Sequence, residues 1–285
     1  MAFEATFHRM NSTPPDAKNS VPPVLLTVAG FDPSSGAGIT ADLAVFSAFG
    51  GFGVSCITGL TVQSTIGVSG VEPVPASTVR ATLACLAADL PLAGIKIGMM
   101  ATAENVWVLD GFCMENRRIP VVLDPVWRSS SGRELLDAAG VTALRESLLG
   151  KAGWITPNLE ELGMLTGMAV RTAEEVPVAA HKLHEQATSL GNPGLKVVVT
   201  GGHLDRANDF LLGEGWIPGE RVETNSTHGT GCAFSSALLA GLVMHPERTP
   251  AEQVRAAKDY LRRALETAVP LGRGHGPMNL LWPLR

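Results

Sequence analysis

The chain has 285 residues, 45% of them hydrophobic and 17% charged, with a formal net charge of −5. That is enough for one large domain with a sizeable core, and the acidic balance argues against nucleic acid or an anionic membrane surface as the main partner. Four cysteines (Cys56, Cys85, Cys113 and Cys232) are widely spaced with no C-x-x-C pair, which reads as reduced thiols of a cytoplasmic protein, without a disulfide framework or zinc site.

Residues 1–22 mix Phe3, Arg9, Asp16 and Lys18 with Pro14 and Pro15 and lack an apolar run of signal length. They are expected to form a flexible leader before a single domain over 23–285. No uninterrupted apolar run approaches about 18 residues, so no transmembrane helix is expected. Val24 to Gly30 has the profile of a buried strand, followed by a turn-rich loop and a helix from about Ile39 to Phe49. Strands are then predicted at Val54–Val62, Ile95–Met99, Pro120–Leu123, Trp154–Thr156 and Lys196–Thr200. Helices are predicted at Ser77–Leu90, Ala103–Glu115, Leu135–Leu148, Asn158–Leu165 and Ala173–Leu190. This alternation indicates an α/β fold with a central, mostly parallel sheet and helices on both faces, and a ligand site beyond the carboxyl ends of the strands.

Gly36-Ala-Gly-Ile-Thr-Ala41 matches G-x-G-x-x-A, but it does not follow its strand directly, and no acidic residue stands about 20 positions on. No P-loop motif is present. The stretch Thr227 to Ala240 is more informative. Gly229 and Gly231 bracket Thr230, so the backbone can bring its N–H groups close to a ligand, and a small-residue, apolar helix follows. Thr227 or Thr230 is expected to cap that helix, whose N-terminus suits a phosphate. Cys232 falls in the first turn, where the same field is expected to lower a thiol pKa. Asp42 lies on the edge of the Ile39–Leu43–Phe46 stripe, either as a structural hydrogen-bond partner or as an acceptor for a ligand N–H. Gln63, just past a strand, offers an acceptor and two donors to an amino-heterocycle. Asn158 and Glu161 form a plausible capping box that is compatible with a second role facing phosphates through Mg²⁺ and water.

Val28-Ala-Gly-Phe-Asp-Pro-Ser-Ser-Gly-Ala-Gly-Ile-Thr-Ala-Asp42, Lys96-Ile-Gly-Met99, Val122-Leu-Asp-Pro-Val126, Ile155-Thr-Pro-Asn-Leu-Glu-Glu161, Gly201-Gly-His203 and Thr227-His-Gly-Thr-Gly-Cys232 occur in this order. Together they resemble the hydroxymethylpyrimidine/phosphomethylpyrimidine kinases of thiamine biosynthesis, within the ribokinase-like superfamily, over about Val24 to Trp282. Gly274-His-Gly-Pro277 matches the family's closing motif. The resemblance implies ATP-dependent, Mg²⁺-assisted phosphorylation of 4-amino-5-hydroxymethyl-2-methylpyrimidine and then of its monophosphate, in a cytoplasmic homodimer. By matching position, Asp42 and Gln63 would hold the aminopyrimidine, Met99 and Val126 would pack its ring, and Gly30 would belong to the same substrate site. Cys232 would be the base, with Gly229, Thr230 and Gly231 as the anion hole. Asn158, Glu161, Asp124 and Thr200 would serve ATP and Mg²⁺, Glu161 reaching the metal through water.

The chain departs from the family pattern at Trp127-Arg-Ser-Ser-Ser-Gly132, where Arg128 is expected to supply a lost positive charge, and at Thr200, where the family often has Lys. These departures bear on the second phosphorylation and on the exact pyrimidine. The alternatives are a pyridoxal kinase on the same scaffold and a non-catalytic protein that binds pyrimidine or nucleotide.

Overall fold

A computed structural model describes residues 21–202, 204 and 206–284. The expected leader falls almost wholly on 1–20, and His203 also lies outside the described residues. Strands are β1 (Val24–Phe31), β2 (Phe52–Ser64), β3 (Gly67–Pro73), β4 (Leu92–Ile97), β5 (Val121–Leu123), β6 (Trp154–Ile155), β7 (Lys196–Val199), β8 (Asp209–Leu211) and β9 (Gly215–Ile217). Helices are α1 (Gly38–Ala48), α2 (Ala76–Asp89), α3 (Ala103–Glu115), α4 (Ala138–Glu146), α5 (Leu159–Thr166), α6 (Val176–Ser189), α7 (Thr230–Met244) and α8 (Pro250–Glu266).

The strands form a sheet in the order β3-β2-β1-β4-β5-β6-β7-β8-β9. Its centre, β2 to β7, is parallel, and β3, β8 and β9 extend the two edges antiparallel. The central strands are continuous apolar runs because helices cover both faces. One face packs against α1, α7 and α8, through residues such as Phe46, Phe234, Leu238 and Val254. The other packs against α2 to α6, through Leu83, Leu109, Leu144, Leu162 and Leu183. Among the described residues no helix is long and apolar enough to cross a membrane.

Three edge strands and one helix were not legible from periodicity. β3 carries Gly67, Gly70 and Pro73, which mask its pattern, and β8 and β9 are three residues each. α8 does carry a start signal: Thr249 and Glu252 form a reciprocal capping box with Pro250 in the first turn. The predicted helix Leu135–Leu148 begins only at Ala138, where Asp137 caps it by accepting from the Gly140 N–H.

Helix α7 is lined with small residues and is buried throughout Ala233–Gly241, which lets it lie directly on the sheet. Its cap is Gly229 at φ 77°, and no side chain caps it. The expected Thr227 or Thr230 cap is therefore absent. A methyl at Gly229 would fall 2.0 Å from the Gly36 carbonyl oxygen, so only glycine permits the turn and the close approach together.

Candidate active site

A cavity of about 1040 Å³ opens at the carboxyl ends of the parallel strands, where such sheets place ligands. Its wall takes Gly30 from β1, Asp32 after it, Gln63 from β2, Met99 after β4, Asp124 and Val126 after β5, and Thr156, Asn158 and Glu161 after β6. Thr200 and the run Thr227–Cys232 complete it. Every predicted site residue except Asp42 lines this one cavity.

Met99 forms one wall because Gly30 has no side chain: a methyl there would lie 2.6 Å from the Met99 sulfur. The register of β1 against β2 shifts between Ala29 and Gly30, so a bulge sits at the cavity rim. Across the cavity, Gly229, Thr230, Gly231 and Cys232 present the start of α7. The first-turn N–H groups of a helix have no carbonyl one turn back and carry partial positive charge. No side chain caps them, which leaves these donors available to an anion.

Asp42 is a correction. It sits within the buried face of α1, with Ile39, Ala41, Val45 and Phe46, rather than at its edge. Its carboxylate accepts from Thr27 Oγ1 at 2.6 Å, from Ser236 Oγ at 2.7 Å, and from Lys96 Nζ at 3.0 and 3.1 Å. Lys96 and Asp42 are both wholly buried, and Lys96 Nζ is also 3.8 Å from Asp124. Of the two readings of Asp42, the structural partnership is the one observed. Burial works against the charged form of Lys96, but Asp42 and Asp124 beside it outweigh this and hold the ammonium well above its ordinary range.

The same neighbourhood reverses the expectation for Cys232. Burial pushes its thiol up to about 12; Lys96 opposes this, while Asp124 and Asp42 add to it. Burial outweighs the opposing Lys96 charge and the Gly38 backbone hydrogen bond, so the thiol stays protonated at neutral pH.

Asn158 and Glu161 make the expected capping box at α5, each side chain accepting from the other's backbone N–H at 2.9 Å. Burial, and then the negative charge of Asp124, raise Glu161 well above the usual carboxylate range. Asp124 is itself raised by burial, against the pull of Lys96, and accepts from Ser235 Oγ at 3.1 Å. Beside them Thr156 Oγ1 is buried without a hydrogen-bond partner. Two buried carboxylates, Asp124 and the Glu161 that it raises, together with an orphaned hydroxyl, form a hard oxygen donor set that fits Mg²⁺. Among the described residues no three His, Cys, Asp or Glu side chains converge on one point, so phosphate and water would supply the rest of the shell.

Arg128 does not offer a free cation. Its guanidinium contacts Glu134 and Glu160, each at 3.1 Å, and lies 4.0 Å over the Trp127 ring. Thr200 pairs with the Asn158 segment, its N–H donating to the Pro157 carbonyl.

Asp32 and His228 were not singled out by sequence reasoning. Asp32 gathers the 34–37 loop and meets His228 Nε2 at 2.8 Å. His228 is fixed from the other side by the C-terminal strip, its N–H donating to the Gly276 carbonyl. The signal was present in Thr-His-Gly-Thr-Gly-Cys, but the glycines and the cysteine drew the reading.

The family profile described as phosphomethylpyrimidine kinase matches residues 32–279. The hydroxymethylpyrimidine/phosphomethylpyrimidine kinase of Haemophilus influenzae is 37% identical over 264 residues, covering 90% of this chain and 95% of that one. The corresponding Rhizobium meliloti protein is 40% identical over 265 residues, covering 90% and 96%. The chain also matches 51% of the length of the thiamine biosynthesis bifunctional protein ThiED of Geobacter sulfurreducens, at 38% identity. Among solved structures, an ADP complex of Bacillus subtilis pyridoxal kinase superposes with a TM-score of 0.81 at 31% identity, over 93% of this chain and 100% of that one. Phosphomethylpyrimidine kinase from Clostridium difficile gives 0.72 at 31% identity, over 85% and 99%. The ribokinase-like fold and the order of the motifs agree with these relatives: the chain belongs to the phosphomethylpyrimidine kinase family.

Proposed function

We propose that the cavity binds ATP and 4-amino-5-hydroxymethyl-2-methylpyrimidine and phosphorylates the hydroxymethyl group, then the resulting monophosphate. One observation carries the reading. The uncapped start of α7, with Cys232 in its first turn, lines the same cavity as Gln63 and Met99. A ring seated on Met99 and Val126 and read by Gln63 would direct its hydroxymethyl group toward the sulfur. The names of the relatives support the same substrate.

The chain's contribution is positioning and charge stabilisation. Gly229, Thr230 and Gly231 offer backbone N–H groups to the phosphoryl oxygens as charge develops. Cys232, as the thiolate, takes the hydroxyl proton as the new O–P bond forms and the bond between the γ-phosphorus and the bridging oxygen of ATP breaks, releasing ADP. Because burial keeps the thiol protonated, this role requires that its proton pass to solvent through the cavity when substrates bind, with Lys96 beside the sulfur to favour the thiolate. Mg²⁺, held by Asp124 and through water by Glu161, would screen the charge of the transferring phosphate. Asn158 and Thr200 would border the nucleotide phosphates.

A second reading, phosphorylation of pyridoxal, is favoured by the similarity to the Bacillus subtilis enzyme. Incubation with Mg-ATP and each alcohol separately, followed by mass spectrometry, tests both. Mono- and diphosphate from the pyrimidine are expected. Product from pyridoxal alone would overturn the pyrimidine reading.

A further inference from the structure

His228 Nε2 lies 2.8 Å from Asp32 Oδ2 and also 2.8 Å from the amide nitrogen of Gln63. A ring nitrogen carries either one proton or one lone pair, so the two neighbours make conflicting demands. Asp32 decides between them. It accepts from the Ser34 N–H at 2.8 Å, the Ser34 hydroxyl at 2.7 Å, the Gly36 N–H at 3.1 Å and the Ala37 N–H at 2.9 Å. Against burial, His228 and Ser34 hold its carboxyl below the usual range. An ionised oxygen at 2.8 Å requires a donor, so His228 Nε2 carries the proton and has no lone pair for an amide N–H.

The other end of the amide gives the same answer independently. Gln63 Oε1 is 3.1 Å from Thr61 Oγ1, whose single proton already has the Phe31 carbonyl at 3.0 Å. Turning the amide, whose two ends are nearly equal in shape, by 180° relieves both conflicts. Oε1 then faces the His228 N–H as the second acceptor of a three-centre bond shared with Asp32 Oδ2, and Nε2 donates to the Thr61 oxygen.

We infer that His228, anchored by Asp32, is a positioning residue that fixes Gln63 with its oxygen toward His228 and its nitrogen toward Thr61, and so sets which ring edge the cavity accepts. The remaining lone pair and the remaining N–H of the amide form an ordered acceptor–donor pair at the cavity wall. That order fits an exocyclic amino group beside a bare ring nitrogen. It opposes the 4-oxo analogue, in which carbonyl and ring N–H reverse the pattern. The inference rests on the aminopyrimidine reading of the cavity.

The test is kcat/KM for the 4-amino substrate and its 4-oxo analogue in the wild type, His228→Leu and His228→Gln. Wild type is expected to favour the amino compound by about 10³-fold or more, because a mismatch leaves two buried polar groups unpaired. His228→Leu frees the amide to turn, and the ratio should fall by about tenfold or more. His228→Gln still offers Asp32 an N–H and should keep the ratio within a few-fold of wild type. If His228→Leu does not fold, Asp32→Asn removes the ionised acceptor and is expected to lower the ratio in the same way. Equal losses on both compounds, with the ratio unchanged, would show that His228 is structural only and overturn the inference while leaving the substrate reading intact. A wild type that turns over both compounds equally would overturn the aminopyrimidine reading of Gln63 and the inference with it.

Discussion

Replacing Lys96 with Met tests the charge arrangement beneath the site. The ammonium is wholly buried, as is its partner Asp42, and Met keeps most of the stem volume while removing the charge. Asp42 would lose both Lys96 contacts, at 3.0 and 3.1 Å, and keep only the hydroxyls of Thr27 and Ser236. Asp124, 3.8 Å from the ammonium, would lose its cation as well. Breaking one side of a buried pair costs about 3–5 kcal/mol, because the remaining charge is left uncompensated. For a domain of this size that corresponds to a fall in Tm of roughly 6–20 °C. Urea unfolding followed by tryptophan fluorescence and circular dichroism would measure it. The double variant Lys96→Met/Asp42→Asn removes both charges; the amide oxygen still accepts from one of the two hydroxyls and its NH2 can donate to the other, so it should recover much of the loss. A single variant costing under about 1 kcal/mol, or a double variant less stable than the single one, would refute the reasoning.

Two further outcomes follow from the geometry. Burial raises Cys56 to about 11 and Cys113 and Cys232 to about 12, from an unperturbed 9.0. The folded protein therefore keeps protons that the unfolded chain releases, and stability should be intact below pH 9 and decline from there toward pH 12. Denaturation between pH 8 and 11 would show this as a falling midpoint, less steep in Cys113→Ala, and a flat profile would contradict it. Gly229→Ala forces a methyl onto the Gly36 carbonyl at a left-handed φ of 77°, so the two loops must part. A loss of roughly 100-fold or more in kcat is expected, by analogy with removal of a pre-organised anion-hole donor, and near-normal turnover would disprove the loop contact.

The fold was legible because its central strands are short apolar runs closed by Gly or Pro, and its helices are long enough to show a period. The edges were not: β3, β8 and β9 carry too few side chains, or too many glycines, to show alternation. Within the site, Cys232 and Glu161 could be placed because each falls in the first turn of a helix, and Gln63 because it lies at the end of a strand, whereas Met99 and Val126 came from the family resemblance. Asp42 was misassigned because sequence shows that a carboxylate faces inward but not what it meets. Its partner was nevertheless visible, since Lys96 is a charged residue inside the apolar strand Leu92–Ile97, and a buried ammonium requires a carboxylate. The thiol pKa was misjudged for a related reason. A helix N-terminus can be read from spacing, but the burial of the thiol and the negative charges of Asp124 and Asp42 that raise it come from other elements.

The most direct test of the account is the turnover of Cys232→Ala with Mg-ATP and hydroxymethylpyrimidine, measured as product mass under steady-state conditions alongside wild type. If the sulfur at the start of α7 receives the hydroxyl proton, kcat should fall by about 10²- to 10⁴-fold while KM for the pyrimidine changes little. An unchanged kcat would contradict the assignment and leave Cys232 as a packing residue at the head of the helix.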